Sequence, residues 1–179
     1  MENLNFSNDL VEWTFNNEKI RVPSEHAIIA SIDNLNNYVV IETGEQFITN
    51  RIYFYSFSGE QLLFCDKQNG LINWNVDSKQ HNVEIPNIFN IGFFLKKKVI
   101  IVMYLANEKE AIIFDLDGNF LCEVEKVSNY EMIYFQEYPD YISIVMEGNS
   151  DTEDKYKRSS KNFKLDVLTG ELEEAGLSY

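Results

Sequence analysis

The chain has little of what most chemistry at neutral pH relies on. It carries 2 histidines and 2 cysteines, and each shortage removes a class of function. A nucleophilic enzyme needs a base within reach of its nucleophile, usually histidine, and a third group to orient that base. His26 follows "PSE" at the start of a strand and His81 sits beside a bend, both ordinary places for a singly bonded imidazole. Cys65 and Cys122 lack C-x-x-C spacing and are too few for a disulfide scaffold, so both are expected to be buried thiols in a reducing compartment. Basic residues are short as well: 15 Lys and Arg stand against 29 Asp and Glu, a formal net charge of -14. Nucleic acid is held by cations that displace counterions, so neither nucleic acid nor a membrane is an expected partner.

Long apolar runs are missing too. "VIIVMYLA", Val99 to Ala106, is the longest and is strand-sized, well below the roughly 18 residues of a membrane span. The opening "MENLNFSNDLVEWTF" has no basic leader and no apolar stretch, so a cytoplasmic location is expected. No G-x-S-x-G, H-E-x-x-H, phosphate loop or dinucleotide fingerprint occurs. The expectation is no enzyme, no catalytic residue, no metal and no cofactor.

What is present is aromatic and β-branched. The 13 Phe and 10 Tyr favour a pleated, half-buried surface. Short apolar runs such as "NYVVIET", "RIYFYSF", "QLLFC", "FNIGFFL", "AIIFDL", "FLCEV", "EMIYFQE", "YISIVME" and "FKLDV" are separated by Asn, Asp, Gly, Pro and Lys. Turn signals eight to twelve residues apart predict an all-β fold rather than βαβ units. Only Asn3 to Trp13, through Leu4, Leu10 and Val11, suggests a helical turn. At 179 residues the chain is expected to be one all-β domain, residues 1–179, burying roughly 70% of the surface its unfolded form exposes.

Three segments align on a glycine: "YFYSFSGEQLLF" at Gly59, "IIFDLDGNFLCE" at Gly118 and "KLDVLTGELEEA" at Gly170. An X-Gly bend supplies the positive φ of a tight hairpin. It would oppose Phe114 to Leu121, and in the third copy would oppose Asp166 to Glu173 unless that turn is longer. Two more hairpins are predicted at Asn16-Asn17 and at Ser78-Lys79. The strands group into meanders near residues 26–66, 89–124 and 130–175. These are propeller-blade-like repeats forming an open or incomplete propeller, with a β-sandwich or barrel as the alternative.

The acidic loops fail as metal sites. A calcium loop of the EF-hand type needs oxygens at positions 1, 3 and 5, glycine at 6 and a carboxylate at 12. With Asp115 at position 1 the glycine arrives at 4, and Asn119, Phe120, Leu121 and Cys122 follow. In "GNSDTEDKYKRSSK", Gly148 to Lys161, Asp154 stands where glycine is required and the segment turns basic. That stretch reads as a solvated loop.

Binding is the function class that remains. Acidity gathers towards the two ends: residues 1–50 hold 8 acids and 2 bases, 51–110 hold 6 and 7, and 111–179 hold 15 and 6. Such a field attracts a basic partner and speeds encounter. In "NYEMIYFQEYPDY" tyrosines alternate with acids, and tyrosine couples large contact area to few rotatable bonds. The candidate partner-binding residues are therefore Tyr130, Glu131, Tyr134, Glu137, Tyr138 and Asp140, with Glu171, Glu173 and Glu174 of the tail "TGELEEAGLSY" as a second group. The tail, ending at Tyr179, is either a frayed edge or a docking peptide.

The charge of -14, the missing catalytic set and the meanders "RIYFYSFSGEQLLFC" and "AIIFDLDGNFLCEV" resemble the immunity proteins of bacterial polymorphic toxin and contact-dependent growth inhibition systems. The resemblance implies a monomer that neutralises one cognate basic protein toxin, frequently a nuclease, with carboxylates that imitate phosphate. The competing expectation is a propeller-like scaffold that binds a protein or ligand with no toxin partner.

Overall fold

The structure is a computed structural model describing residues 1–177. Ser178 and Tyr179, the last residues of the proposed docking tail, lie outside the described residues. The described residues form antiparallel strands throughout, with two single-turn 3-10 helices and no α-helix. They divide into two compact units, Met1–Asn87 and Ile88 onward.

In the first unit, β1 (Glu2–Phe6), β2 (Leu10–Phe15) and β3 (Glu18–Pro23) make a three-stranded sheet. Strands, not a helical turn, occupy Asn3 to Trp13, because Val11 and Trp13 alternate into the core at a two-residue period and Phe15 packs against it. A six-stranded sheet follows in chain order: β4 (Ala27–Asp33), β5 (Tyr38–Glu45), β6 (Ile48–Ser56), β7 (Gln61–Asp66), β8 (Leu71–Val76) and β9 (Lys79–Glu84). Val11, Trp13 and Val22 pack on Val39 and Ile41 between the two sheets. The Trp13 indole N–H donates to the Phe57 carbonyl at 2.7 Å, satisfying the one polar atom of that side chain.

In the second unit, β10 (Ile88–Phe94), β11 (Val99–Leu105), β12 (Lys109–Asp115) and β13 (Phe120–Glu123) form one four-stranded meander. The other is β14 (Tyr130–Glu137), β15 (Ile142–Gly148), β16 (Ser160–Leu165) and β17 (Leu172–Leu177). Their facing sides share one core: Val99, Ile101, Met103 and Ile113 from the first, Ile142, Ile144, Met146, Phe163 and Leu165 from the second. Each large apolar side chain fully buried there contributes about 1.5–3 kcal/mol. Within each sheet every strand neighbours its predecessor in sequence, as in a propeller blade, and no sheet of the described residues closes into a barrel.

The turns depart from the sequence reading by one or two residues. At Gly118 the Asp115 N–H donates to the Asn119 carbonyl and the Gly118 N–H to the Asp115 carbonyl, with Gly118 at φ 87°. That is a three-residue loop closed by a left-handed glycine and a bulge, not a two-residue bend. The bulge sets Phe120, rather than Leu121, opposite Phe114, with rings edge to face at 6.2 Å. At Gly170 the loop is longer still: Asp166 N–H meets the Glu171 carbonyl at 3.0 Å. The two extra residues replace the like-charged Asp166–Glu173 pairing by Lys164 opposite Glu173. The bend between β8 and β9 lies at Asp77-Ser78, one residue earlier than predicted, which puts Trp74 opposite His81 with stacked rings.

Candidate functional site

The carboxylates that looked most like chemistry are spent on the backbone. Asp115 accepts from the Asn119 amide N–H and from the Asn119 side chain, both at 2.8 Å. Burial raises its pKa, but the bonds from Asn119 and the amides of Asp117 and Gly118 outweigh that and hold it below the ordinary value. Asp33, Asp66 and Asp166 repeat the device, each accepting from an amide two or three residues on. Asp154, in the segment read as a solvated loop, accepts from the Tyr156 and Arg158 amides and pairs with the Arg158 guanidinium at 2.6 Å. Among the described residues no group of three or more His, Cys, Asp or Glu is placed to hold a metal ion.

The tyrosine and acid segment does not present one face. A bulge between Met132 and Tyr134 shifts the alternation of β14. Tyr130 consequently turns to the core, where its ring meets Phe163 edge-on at 5.2 Å, while Tyr134 stays 41% exposed. Glu131 is exposed and pairs with Lys109 at 2.8 Å. Glu174 pairs with Lys161 at 2.8 Å.

Glu137 is the residue whose setting departs furthest from an open interface. Its side chain is 7% exposed and accepts from Lys97 at 3.0 Å. Lys97 lies on the 3-10 turn Leu95–Lys97 between β10 and β11. The same ammonium also donates to the carbonyls of Tyr138 at 2.9 Å and Pro139 at 3.2 Å. It therefore clamps the turn Tyr138-Pro139-Asp140-Tyr141, which closes with Tyr138 N–H on the Tyr141 carbonyl at 2.8 Å. Proline suits the second position of such a turn because its φ is already set. The first and fourth residues then lie side by side, and the Tyr138 and Tyr141 rings stack at 4.5 Å, 17° from parallel.

This turn meets the β16–β17 hairpin at a groove of about 570 Å³. Asp140, Asp166, Glu171 and Glu173 line it beside Tyr141, so the fold brings one member of the first acidic group together with two of the second. Its cations are Lys97, committed to the clamp, and Lys164, whose ammonium lies 5.7 Å from the Tyr141 ring centroid. Tyr130 and Glu131 line a different groove, with Lys109, Lys126 and Glu108. Sequence reasoning missed Lys97, Tyr141 and Asp166. The "YPDY" spacing could have revealed the Tyr141 stack; nothing in the sequence announces the Lys97 clamp.

No protein-family model matches the chain. No curated protein matches it. Among solved structures, the crystal structure of a "putative 6-phosphogluconolactonase" from Bacteroides fragilis is similar at TM-score 0.45 and 10% identity, over 84% of this chain and 53% of that one.

Proposed function

We propose that the chain is an immunity protein that binds and neutralises a cognate basic toxin domain of the nuclease type, and that the Asp140–Glu173 groove is its principal contact. The supporting observation is the convergence of Asp140, Glu171 and Glu173 on one groove beside a rigid tyrosine stack. Carboxylates held near one another present the oxygen-rich, anionic surface that phosphates offer, and Lys or Arg groups evolved to grip phosphate bind it for the same reason. The stacked tyrosines supply apolar area that is already ordered, so binding loses little side-chain entropy there. Asp140 and Glu173 carry the charge. Tyr138 and Tyr141 carry the shape, and Lys97 with Glu137 holds the turn that positions them.

The test is co-purification with the product of the gene adjacent to this chain's, followed by association kinetics with the basic domain if one is captured. Asp140→Lys combined with Glu173→Lys should slow association about tenfold or more at low salt and flatten its salt dependence. An unchanged rate and salt slope would remove this groove from the interface. Failure of the parent chain to bind any such domain would remove the immunity reading itself.

A further inference from the structure

The first unit ends one of its hairpins in a way the rest of the chain avoids. β5 and β6 are joined by Gln46-Phe47, with Glu45 paired to Ile48 and both central residues at positive φ, 52° and 62°. This is the geometry of a type I′ turn, which favours Gly because a Cβ there crowds the following carbonyl oxygen, and Asn or Asp because their short polar side chains offset that cost by local hydrogen bonds. Two other turns of this chain have the same geometry. They use Asn16-Asn17 at φ 50° and 65° and Asp77-Ser78 at φ 49° and 64°. Only at the third does an aromatic residue occupy the left-handed position. Among the described residues nothing compensates for it by packing, since Phe47 is 92% exposed and Ile48 beside it 65% exposed. The hairpin is nevertheless tightly built. The register shifts between Thr43 and Gly44, and a Cβ on Gly44 would lie 1.9 Å from the Ile48 carbonyl oxygen, so only glycine lets the strands approach behind the tip.

We infer that the Phe47–Ile48 tip is a preformed apolar knob that seats in a pocket of the protein partner. Backbone strain and an exposed aromatic side chain are both unfavourable in the free chain, and burial in a partner's pocket removes the second of these costs. The surroundings define the pocket's rim. Glu45 adjoins the tip and lines the cleft at its base with Glu25, while Arg51 in that cleft is matched by Asp66 at 3.4 Å. A rim of Lys or Arg complements this arrangement. A second copy of the chain, with net charge -14, does not. The inference rests on the reading above in taking the partner to be the basic toxin domain, and it adds a contact in a unit other than the one holding the acidic groove.

The experiment compares the parent chain with Phe47→Asn and Ile48→Thr, using the purified, catalytically inactivated basic domain encoded beside the gene as the probe. Asparagine tolerates the left-handed conformation, so Phe47→Asn should leave Tm unchanged or higher while weakening binding about 30-fold or more. Ile48→Thr should weaken it by a smaller factor. Binding by the parent with an unchanged affinity for Phe47→Asn overturns this inference and leaves the immunity reading standing. No binding by the parent overturns both. A lowered Tm for Phe47→Asn would make Phe47 a packing residue and overturn the knob. A parent dimer dissolved by Phe47→Asn would assign the tip to a second copy, and phosphatidylcholine vesicles that retain the parent but not the variant would assign it to a bilayer; either result overturns the inference.

Discussion

Replacing Lys97 by Met tests the clamp on which the groove depends. The substitution keeps the length and apolar stem of the side chain but removes the ammonium bonded to Glu137, Tyr138 and Pro139. Glu137 then loses its bond to Lys97 at a site where its side chain is 7% exposed. Breaking a buried pair from one side costs about 3–5 kcal/mol, because the remaining charge stays desolvated. Lys97 retains 16% exposure, which admits some water and places the expected cost near the lower end, about 3 kcal/mol. For a chain of this size that lowers Tm by roughly 6–12 °C, read by scanning calorimetry. Combining Lys97→Met with Glu137→Leu should recover part of the loss, since both members of the pair are then removed together. A Lys97→Met cost below about 1 kcal/mol would refute the reasoning, because that is the value of a solvent-exposed pair.

Asp115→Ala should cost about 1 kcal/mol at neutral pH, the usual value of a lost side-chain cap on backbone amides. The folded-state pKa of Asp115 is lowered, so its contribution is present above the unfolded value and fades as pH falls through the folded one. Urea unfolding of the two proteins should therefore converge below pH 4, and a gap that persists there would contradict the assignment. Burial raises the Cys65 pKa to about 12, so Cys65 should resist iodoacetamide in the folded protein at pH 8 and react once urea unfolds it. Rapid labelling of native Cys65, located by peptide mapping, would show that the β7 core opens more readily than its burial implies.

Local patterns in the sequence were enough for most of the strands and several of the turns, though not for β1 and the start of β2, where they suggested a helical turn. In "RIYFYSF" the buried Ile52 and Phe54 alternate with the half-buried Tyr53 and Tyr55, while the short apolar run of "YISIVME" is buried on both faces of its strand. Asn16-Asn17 and the Gly59 and Gly118 bends identify hairpins through the φ values they tolerate. Bulges were not legible. The extra residue in β14 turns Tyr130 into the core and leaves Tyr134 outside, although the two are four apart and should share a face. A bulge depends on how two strands accommodate each other, and each strand's own pattern is silent about it.

The candidate site divides in the same way. The excess of acid, the shortage of histidine and the alternation of tyrosines with acids in "NYEMIYFQEYPDY" are properties of the chain, and they set the sign of its field before any fold is known. Which acids remain available is a property of three dimensions. Glu137 and Asp140 are three residues apart, yet one is held by Lys97 beneath the turn while the other lines the groove with Glu171 and Glu173. Lys97 is 40 residues from Glu137 in sequence, and Asp140 is more than 30 from Glu173. The meeting of such groups is set by how neighbouring strands pair and how the two sheets of the second unit pack. Composition fixed the sign of the surface charge; tertiary structure decided which charges hold the fold and which face outward, because burial and pairing are relations between distant residues.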